Sequence, residues 1–393
     1  MKWNKALLAL FSGLLLNSSC GHAQQYSYNL KFTVSASNFV DSIPIEFNDG
    51  RIILKAYSQG REYRFLLDTG SSQGVIYKGG SFAYIRERGE ITSHDANGNS
   101  SKIMAVEFPD FTIGHLSFHG YCGSLLRRHS PTDDHDAIIG FDIFNKGIHA
   151  KIDVAAGLLI LTDDRHYFEN ETGYILKYRL LRWVPNVKLT PYPNCSDEAR
   201  FDTGSRRLYE MSNRSCGVFR KAISEFASQI EGVTLGSRTI ASFGSERHDH
   251  MSFLHLDNVM MGGFSFRDYH TITTQGNSRI GSELLTYGSV IINPHRKQII
   301  FCPYSGESHQ YVSNTQMDIA FIPSNGHAVV GMVWEGSVHF RNGFRQGDTI
   351  MSVNGTPINT FGQFLSYPFI KGRTYTFSVM GKDGQIRNVM SER

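Results

Sequence analysis

Two stretches of the sequence carry an aspartate in an unusual setting. In "FLLDTGSSQG", Phe65 to Gly74, three apolar residues run straight into Asp68, followed by Thr69, Gly70 and Ser71. In "ARFDTGSRRLYEMS" the same tetrapeptide returns as Asp202, Thr203, Gly204 and Ser205. Burying an unpaired carboxylate is expensive, so a carboxylate at the end of an apolar run is paired, hydrogen-bonded or functional. Two such carboxylates placed face to face cannot both ionise easily and share a proton. One can then take a proton from water while the other gives one up.

The residues after each motif repeat as well. "DAIIGFDIFNKGIHAKIDVAAGLLIL", Asp136 to Leu161, and "SRIGSELLTYGSVIINPHRKQIIF", Ser278 to Phe301, both hold a hydrophobic-Gly step, a short helix-like segment and two apolar strands around a tight turn. Asp68 precedes Gly140 by 72 residues and Asp202 precedes Gly281 by 79. Asp153 and Asn293 come 85 and 91 residues after their aspartates. Agreement in order and spacing at three points implies a duplicated β-rich lobe.

The elements that must position these residues are strands. "RIILKAYSQGREYRFLLDTGSS" reads as two strands around a turn at Ser58 to Arg61, the second ending at Asp68. "GEITSHDANGNSSKIMAVEF" reads as a hairpin with an Asn97-Gly98 tip. "LGSRTIASFGSERHDHMSFLHL" takes the corresponding place in the second half, preceded by a helix-like "FRKAISEFASQIEG". Hairpins at Ser93 to Ser101 and Arg238 to His250 are thus candidate flaps over a cleft.

The paired motifs and their hydrophobic-Gly steps resemble aspartic peptidases of the pepsin and retropepsin type, over roughly Ser42 to Pro303. The resemblance implies a mainly β fold: duplicated pepsin/retropepsin-like β-barrel lobes, residues 24–165 and 166–315, with a cleft between them. It implies catalysis by Asp68 and Asp202 through an activated water, without metal or cofactor, on a peptide or protein substrate. Thr69 and Thr203 would brace the carboxylates from beneath. Gly70 and Gly204 would let the backbone turn close under them, with Ser71 and Ser205 completing the loops and Gly140 and Gly281 behind them. The sequence departs from the family pattern at Arg200, Arg206, Arg207 and Arg279. A guanidinium turned toward Asp202 would hold it ionised and disrupt proton sharing; one turned outward would not. The alternative function is a non-catalytic peptide-binding protein on a degenerate version of this fold.

From about Gln316 the texture changes. "GFRQGDTIMSVNG", Gly343 to Gly355, resembles the signature of a bacterial PDZ domain, which many exported bacterial proteins carry after such a peptidase region. The resemblance spans about Asp318 to Ser391, within a unit at 316–393. It implies a short helix at Gly343 to Asp348, a groove helix beginning in "NTFGQFLSY" and a closing hairpin in "TYTFSVMGKDGQIRNVM". PDZ domains add a peptide end as a strand to a sheet edge. The carboxylate-binding loop is expected near Pro323 to Val330, with Gly326, His327, Ala328 and Val329 as peptide-binding residues, and a peptide C-terminus as partner.

Composition bounds the rest. A charge of +3 over 393 residues, with no run of five like charges, gives no footprint for nucleic acid. Gly, Phe and Tyr, at 38, 27 and 18, favour strands joined by tight turns. Lys2 and Lys5 followed by an apolar run, Ala6 to Leu16, read as an export signal over residues 1–23, implying a periplasmic or secreted protein. Cleavage before Gln24 competes with lipidation at Cys20, which alone would attach the chain to a membrane. Removing Cys20 leaves Cys122, Cys195, Cys216 and Cys302, either disulfide-linked or buried free thiols. His248 and His250 share a face of a possible strand, but no third metal ligand is placed by spacing, so they read as part of a polar surface hairpin. Tyr77 and Tyr84, near the first aspartate in sequence, read by default as packed aromatics, with a cleft tyrosine as the alternative.

Overall fold

Alternating burial along the strands builds this molecule. The computed structural model describes residues 31–392 except 83, 96–98, 129–133, 238–239, 242–243, 246–247 and 371. The export segment, Cys20, Gln24 and the Asn97-Gly98 tip lie outside the described residues.

The chain is mainly β. Arg51–Ser58 and Arg61–Leu67 pair antiparallel around Gln59 and Gly60, both at positive φ, the two-residue turn whose twist suits a hairpin. Arg61–Leu67 buries Tyr63, Phe65, Leu66 and Leu67, so its end, where Asp68 follows, lies inside the fold. A six-stranded sheet joins the two halves of the region before residue 313. Its order is Val40–Asn48, Leu158–Thr162, His149–Asp153, Gly288–Asn293, Gln298–Pro303 and Tyr174–Leu181. The central pairing, Ala150 with Ile292 and Ile152 with Val290, is made by fully buried side chains. Asp153 and Asn293 each close a strand of this sheet just before its hairpin turn.

Beyond residue 317 lies a six-stranded sheet, five strands in the order Ile319–Ser324, His327–Val333, Thr349–Val353, Thr374–Met380 and Ile386–Glu392, with the short Thr356–Pro357 paired to Thr349–Val353. They enclose a separate core around Phe344, Phe364 and Phe377. A small apolar cluster, Met251, Phe253 and Ile272 with Ala320 and Met332, connects this sheet to the second half. Phe253 stacks on Trp334 at 5.2 Å between centroids. Ser237 N donates to Gly331 O, and Thr234 Oγ1 to Val333 O.

Two helices fall elsewhere than the sequence suggests. The helix expected in "FRKAISEFASQIEG" begins earlier, at Asn213–Ala222, where the Ser212 side chain caps the Ser215 amide. Ile223 is extended and breaks it, and Ser224–Gln229 continues as a 3-10 turn. The helix expected at Gly343 to Asp348 is instead Val338–Arg341, capped by Ser337 and stopped by Gly343 at φ 113°. The groove helix is Phe361–Leu365, with a Thr360/Gln363 capping box, and the closing hairpin pairs Thr374–Met380 with Ile386–Glu392.

Phe253 carries the contact between the second half and the C-terminal sheet. Phe253→Ala is expected to cost about 3–5 kcal/mol in denaturant melts and to expose residues 312–318 to limited proteolysis. Digestion at the parent rate would show that the C-terminal sheet is held by other contacts.

Candidate active site

Both aspartates sit at the end of one strand beside a short parallel strand. Arg61–Leu67 runs parallel to Ala137–Ile139, and Asp68 N donates to Ile139 O at 2.9 Å. Cys195–Phe201 runs parallel to Arg279–Ile280, and Asp202 N donates to Ile280 O at 2.8 Å. Each chain then turns sharply, with Ser71 N on Asp68 O and Ser205 N on Asp202 O. Phe141 N binds Ser71 O and Ser282 N binds Ser205 O, both at 2.8 Å, tying each loop to the residue after its hydrophobic-Gly step.

The two loops meet through their threonines. Thr69 Oγ1 accepts from Thr203 N at 3.0 Å and donates to Phe201 O at 2.9 Å. Thr203 Oγ1 accepts from Thr69 N at 3.0 Å and donates to Leu67 O at 2.8 Å. Both threonines are fully buried. Every hydrogen-bonding atom of this brace is used, which is what a buried polar crossing requires.

The brace brings the carboxylates together. A Cβ on Gly70 would overlap the Asp202 carboxylate, and one on Gly204 would lie 2.6 Å from Asp68 Cγ, so each glycine faces the opposite aspartate. Gly70 N donates to Asp68 Oδ1 at 2.8 Å; Gly204 N and Ser205 N donate to Asp202 Oδ1 at 3.1 and 3.2 Å. Asp202 is buried and Asp68 half-buried. Burial, and then the neighbouring Asp202 carboxylate, push Asp68 up to about 7; the Gly70 amide and Arg200 oppose this less strongly. Gly140 packs on the Gln73 backbone and Gly281 on the carbonyls of Ser205 and Arg207, where a side chain would collide.

The arginines part ways. Arg206 turns to Asp49 at 2.6 Å on the exposed surface. Arg279 Nε lies 3.2 Å from Glu210 Oε2, and Arg207 Nε 3.8 Å from Glu210 Oε1. Arg200 stays beside the dyad: its Nη1 reaches Gly70 O at 3.5 Å, its Nε is buried without a hydrogen bond among the described residues, and both aspartates act on its charge.

Two supporting features are absent from the sequence reading. Tyr121 donates to the buried Asp142 at 2.8 Å and lies under Gly140, and Gln73 Nε2 donates to Ser124 Oγ. Neither has a local signature, since the partners are 21 and 51 residues apart. Tyr77 is packed against His135, whereas Tyr84 is exposed, contrary to its reading as a packed aromatic. The four cysteines are free thiols, with Cys302 half-buried and the others buried.

The expected peptide-binding residues need correction. Asn325 and Gly326 form a tight turn, and His327–Val333 is hydrogen-bonded to Ile319–Ser324 on one flank, with Val329 paired to Thr349 on the other. Ala328 is fully buried. Gly326, His327, Ala328 and Val329 therefore present no open strand; the sheet edge belongs to Ile319–Ser324.

His248 faces Gln346 and His250 is exposed. Glu231, His255 and His270 are the described residues whose ligand atoms gather within 4.8 Å. The two rings stack at 4.1 Å, with His255 on Asp268 and His270 on Glu231. Each imidazole already has a carboxylate partner there.

A solved structure similar to this chain is the crystal structure of an aspartic proteinase from Irpex lacteus. It is 11% identical, with a TM-score of 0.43, and the match covers 68% of this chain and 98% of that one. No family model matches the chain, and no curated protein matches it.

The brace and the carboxylates can each be probed by substitution. Thr69→Val strands the Thr203 N–H and the Phe201 carbonyl, and is expected to cost on the order of 1–3 kcal/mol per group. Thr69→Ser, which keeps both bonds, should recover most of that in the same chemical melt. Asp68 is an acid whose folded pKa is raised above the unfolded value of about 3.9. Below about pH 4 both states hold the proton and nothing is lost; from there to about 7 the unfolded chain ionises first, so stability falls as pH rises. Asp68→Asn should thus be more stable than the parent at pH 8, by a few kcal/mol at most, with no gain below about pH 4. Equal stability at pH 8 would contradict the raised value.

Proposed function

We propose that this chain is an aspartic endopeptidase hydrolysing peptide bonds with a water activated between Asp68 and Asp202. The observation that carries the reading is the pair of carboxylates held face to face by the reciprocal Thr69/Thr203 brace. Asp68 holds the shared proton, and Asp202 takes one from water as the oxygen attacks the scissile carbonyl carbon. The Asp68 proton passes to the carbonyl oxygen. On collapse, Asp202 returns its proton to the leaving nitrogen, and Asp68 recovers one from the gem-diol hydroxyl.

The reading takes residues 24–165 and 166–315 as duplicated lobes around a substrate cleft and 316–393 as a PDZ-like unit. In it, the free edge of Ile319–Ser324 beside Phe361–Leu365 tethers a peptide end or gates access; Phe321 meets Phe364 there at 4.7 Å. It also takes the chain as exported, with residues 1–23 as the signal or Cys20 as a lipid anchor. A second reading, peptide binding without catalysis, is favoured by Arg200, whose charge beside the dyad works against proton sharing.

Peptide cleavage by the chain from Gln24 onward, across a mixed library from acid to neutral pH, decides between them. Asp68→Asn and Asp202→Asn should each lose at least ~10³-fold in kcat. In the parent, kcat/KM should fall as pH rises past about 7, where Asp68 loses its proton. If the folded parent cuts nothing, or either variant cuts as well as the parent does, the two-aspartate mechanism fails.

A further inference from the structure

Arg200, whose charge acts on both aspartates, also lines a cavity of ≈ 410 Å³, a volume within the range of ligand pockets. Leu181 and Arg182, where the chain turns between two strands with Arg182 at φ 51°, form part of its lining. Gln275, Gly276 and Asn277, from the segment before the hydrophobic-Gly step, and His94 and Asp95, from the hairpin that follows the first motif, line the rest. Asp95 is already engaged by the Asn99 backbone and side chain. Arg182 is exposed and makes no ion pair among the described residues; Arg200 Nε is buried and without a hydrogen bond among them.

Charge decides what such a cavity accepts. The working dyad carries one negative charge, which Arg200 offsets. Asp95 also borders the cavity, but both its oxygens accept from Asn99, so Arg182 and the half-buried Arg200 hold the donors available to a ligand there. Two guanidinium groups converging on one space favour a carboxylate, which they can grip by paired N–H donors. A neutral amide of the same shape offers one acceptor fewer and no charge.

We propose that this cavity is a substrate subsite for a carboxylate next to the scissile bond, gripped by Arg182 and Arg200, so that the enzyme prefers acidic peptides. The inference rests on the endopeptidase reading for its role in specificity, though not for binding itself. The carboxylate comes from a Glu or Asp side chain or from the end of a short peptide. Arg200, at the dyad's edge, is a positioning residue as well, while Arg182 touches the ligand alone.

Matched peptides test it, with Glu or Gln at each position around a cleavage site and with free or amidated C-termini. In the parent, one position should favour Glu over Gln by about tenfold in kcat/KM, chiefly through KM, as expected for a partly exposed charge-assisted pair. Arg182→Gln and Arg200→Gln should each bring that ratio to within about threefold, while Arg206→Gln, which removes a charge facing Asp49 instead, leaves it in place. A preference confined to free over amidated ends assigns the carboxylate to the chain terminus. Cleavage of neutral peptides with no acidic preference at any position overturns the subsite and leaves the peptidase reading standing. If nothing is cleaved, equilibrium binding of the same peptides by fluorescence anisotropy decides. Tighter binding of Glu over Gln peptides, lost in Arg182→Gln, keeps the carboxylate site while the catalytic reading fails; equal binding overturns it. Arg200→Gln is read only where circular dichroism shows a parent-like fold, and Arg182→Gln, on an exposed turn, carries the decision otherwise.

Discussion

The structure depends on putting two carboxylates into one buried place. Neither strand end could hold its aspartate there alone, because the backbone groups around each turn would be left without partners. The Thr69/Thr203 crossing solves both problems at once: each hydroxyl satisfies one amide and one carbonyl of the opposite loop. Since each half completes the other, the site exists only when both strands end at the same point. That demand explains the short parallel strands at Ala137–Ile139 and Arg279–Ile280, which fix where each aspartate strand stops. It also explains the glycines after each threonine, where any side chain would enter the opposite carboxylate.

A crossing of hydrogen bonds near 3 Å tolerates little relative movement, and the six-stranded sheet supplies the stiffness. His149–Asp153 and Gly288–Asn293 lie side by side at its centre, each coming after its own hydrophobic-Gly step. A shift between the halves would have to break this ladder and open the core around Ile152, Val290 and Ile292. Sites held on strands rather than loops keep their geometry more closely. Here each aspartate directly follows its strand, and its backbone N–H is tied to the neighbouring parallel strand.

How much of this could be read from sequence depends on where the partners lie. The aspartate strands, the Gln59-Gly60 turn and the pairing of each motif with its hydrophobic-Gly step were legible, because strand periodicity and turn residues are local signals and the spacing repeats. The directions of the arginines were not. Arg206 turns to Asp49 and Arg279 to Glu210, partners that no pattern links to them. The misplaced helices share one cause: composition marks a helical region, while Ser212, Ile223, Ser337 and Gly343 set where it starts and stops. The groove at Gly326 to Val329 failed for a different reason. Alternation identifies a strand but not which of its flanks another strand will occupy.

The arginines also make the two halves unequal. The first motif has no arginine beside it in the sequence, whereas four stand near the second, Arg200, Arg206, Arg207 and Arg279. A single buried acid, Glu210, takes up Arg207 and Arg279, and Asp49 takes up Arg206. Only Arg200 still faces the dyad, on the side of Asp202. A symmetric pair would leave the shared proton undecided between equivalent oxygens. Burial and the neighbouring Asp202 carboxylate raise Asp68, and the Arg200 charge, which acts on both carboxylates, opposes that rise. Arg200 is thus the point at which the two halves differ most: it lies between the carboxylates it acts on and the cavity it lines.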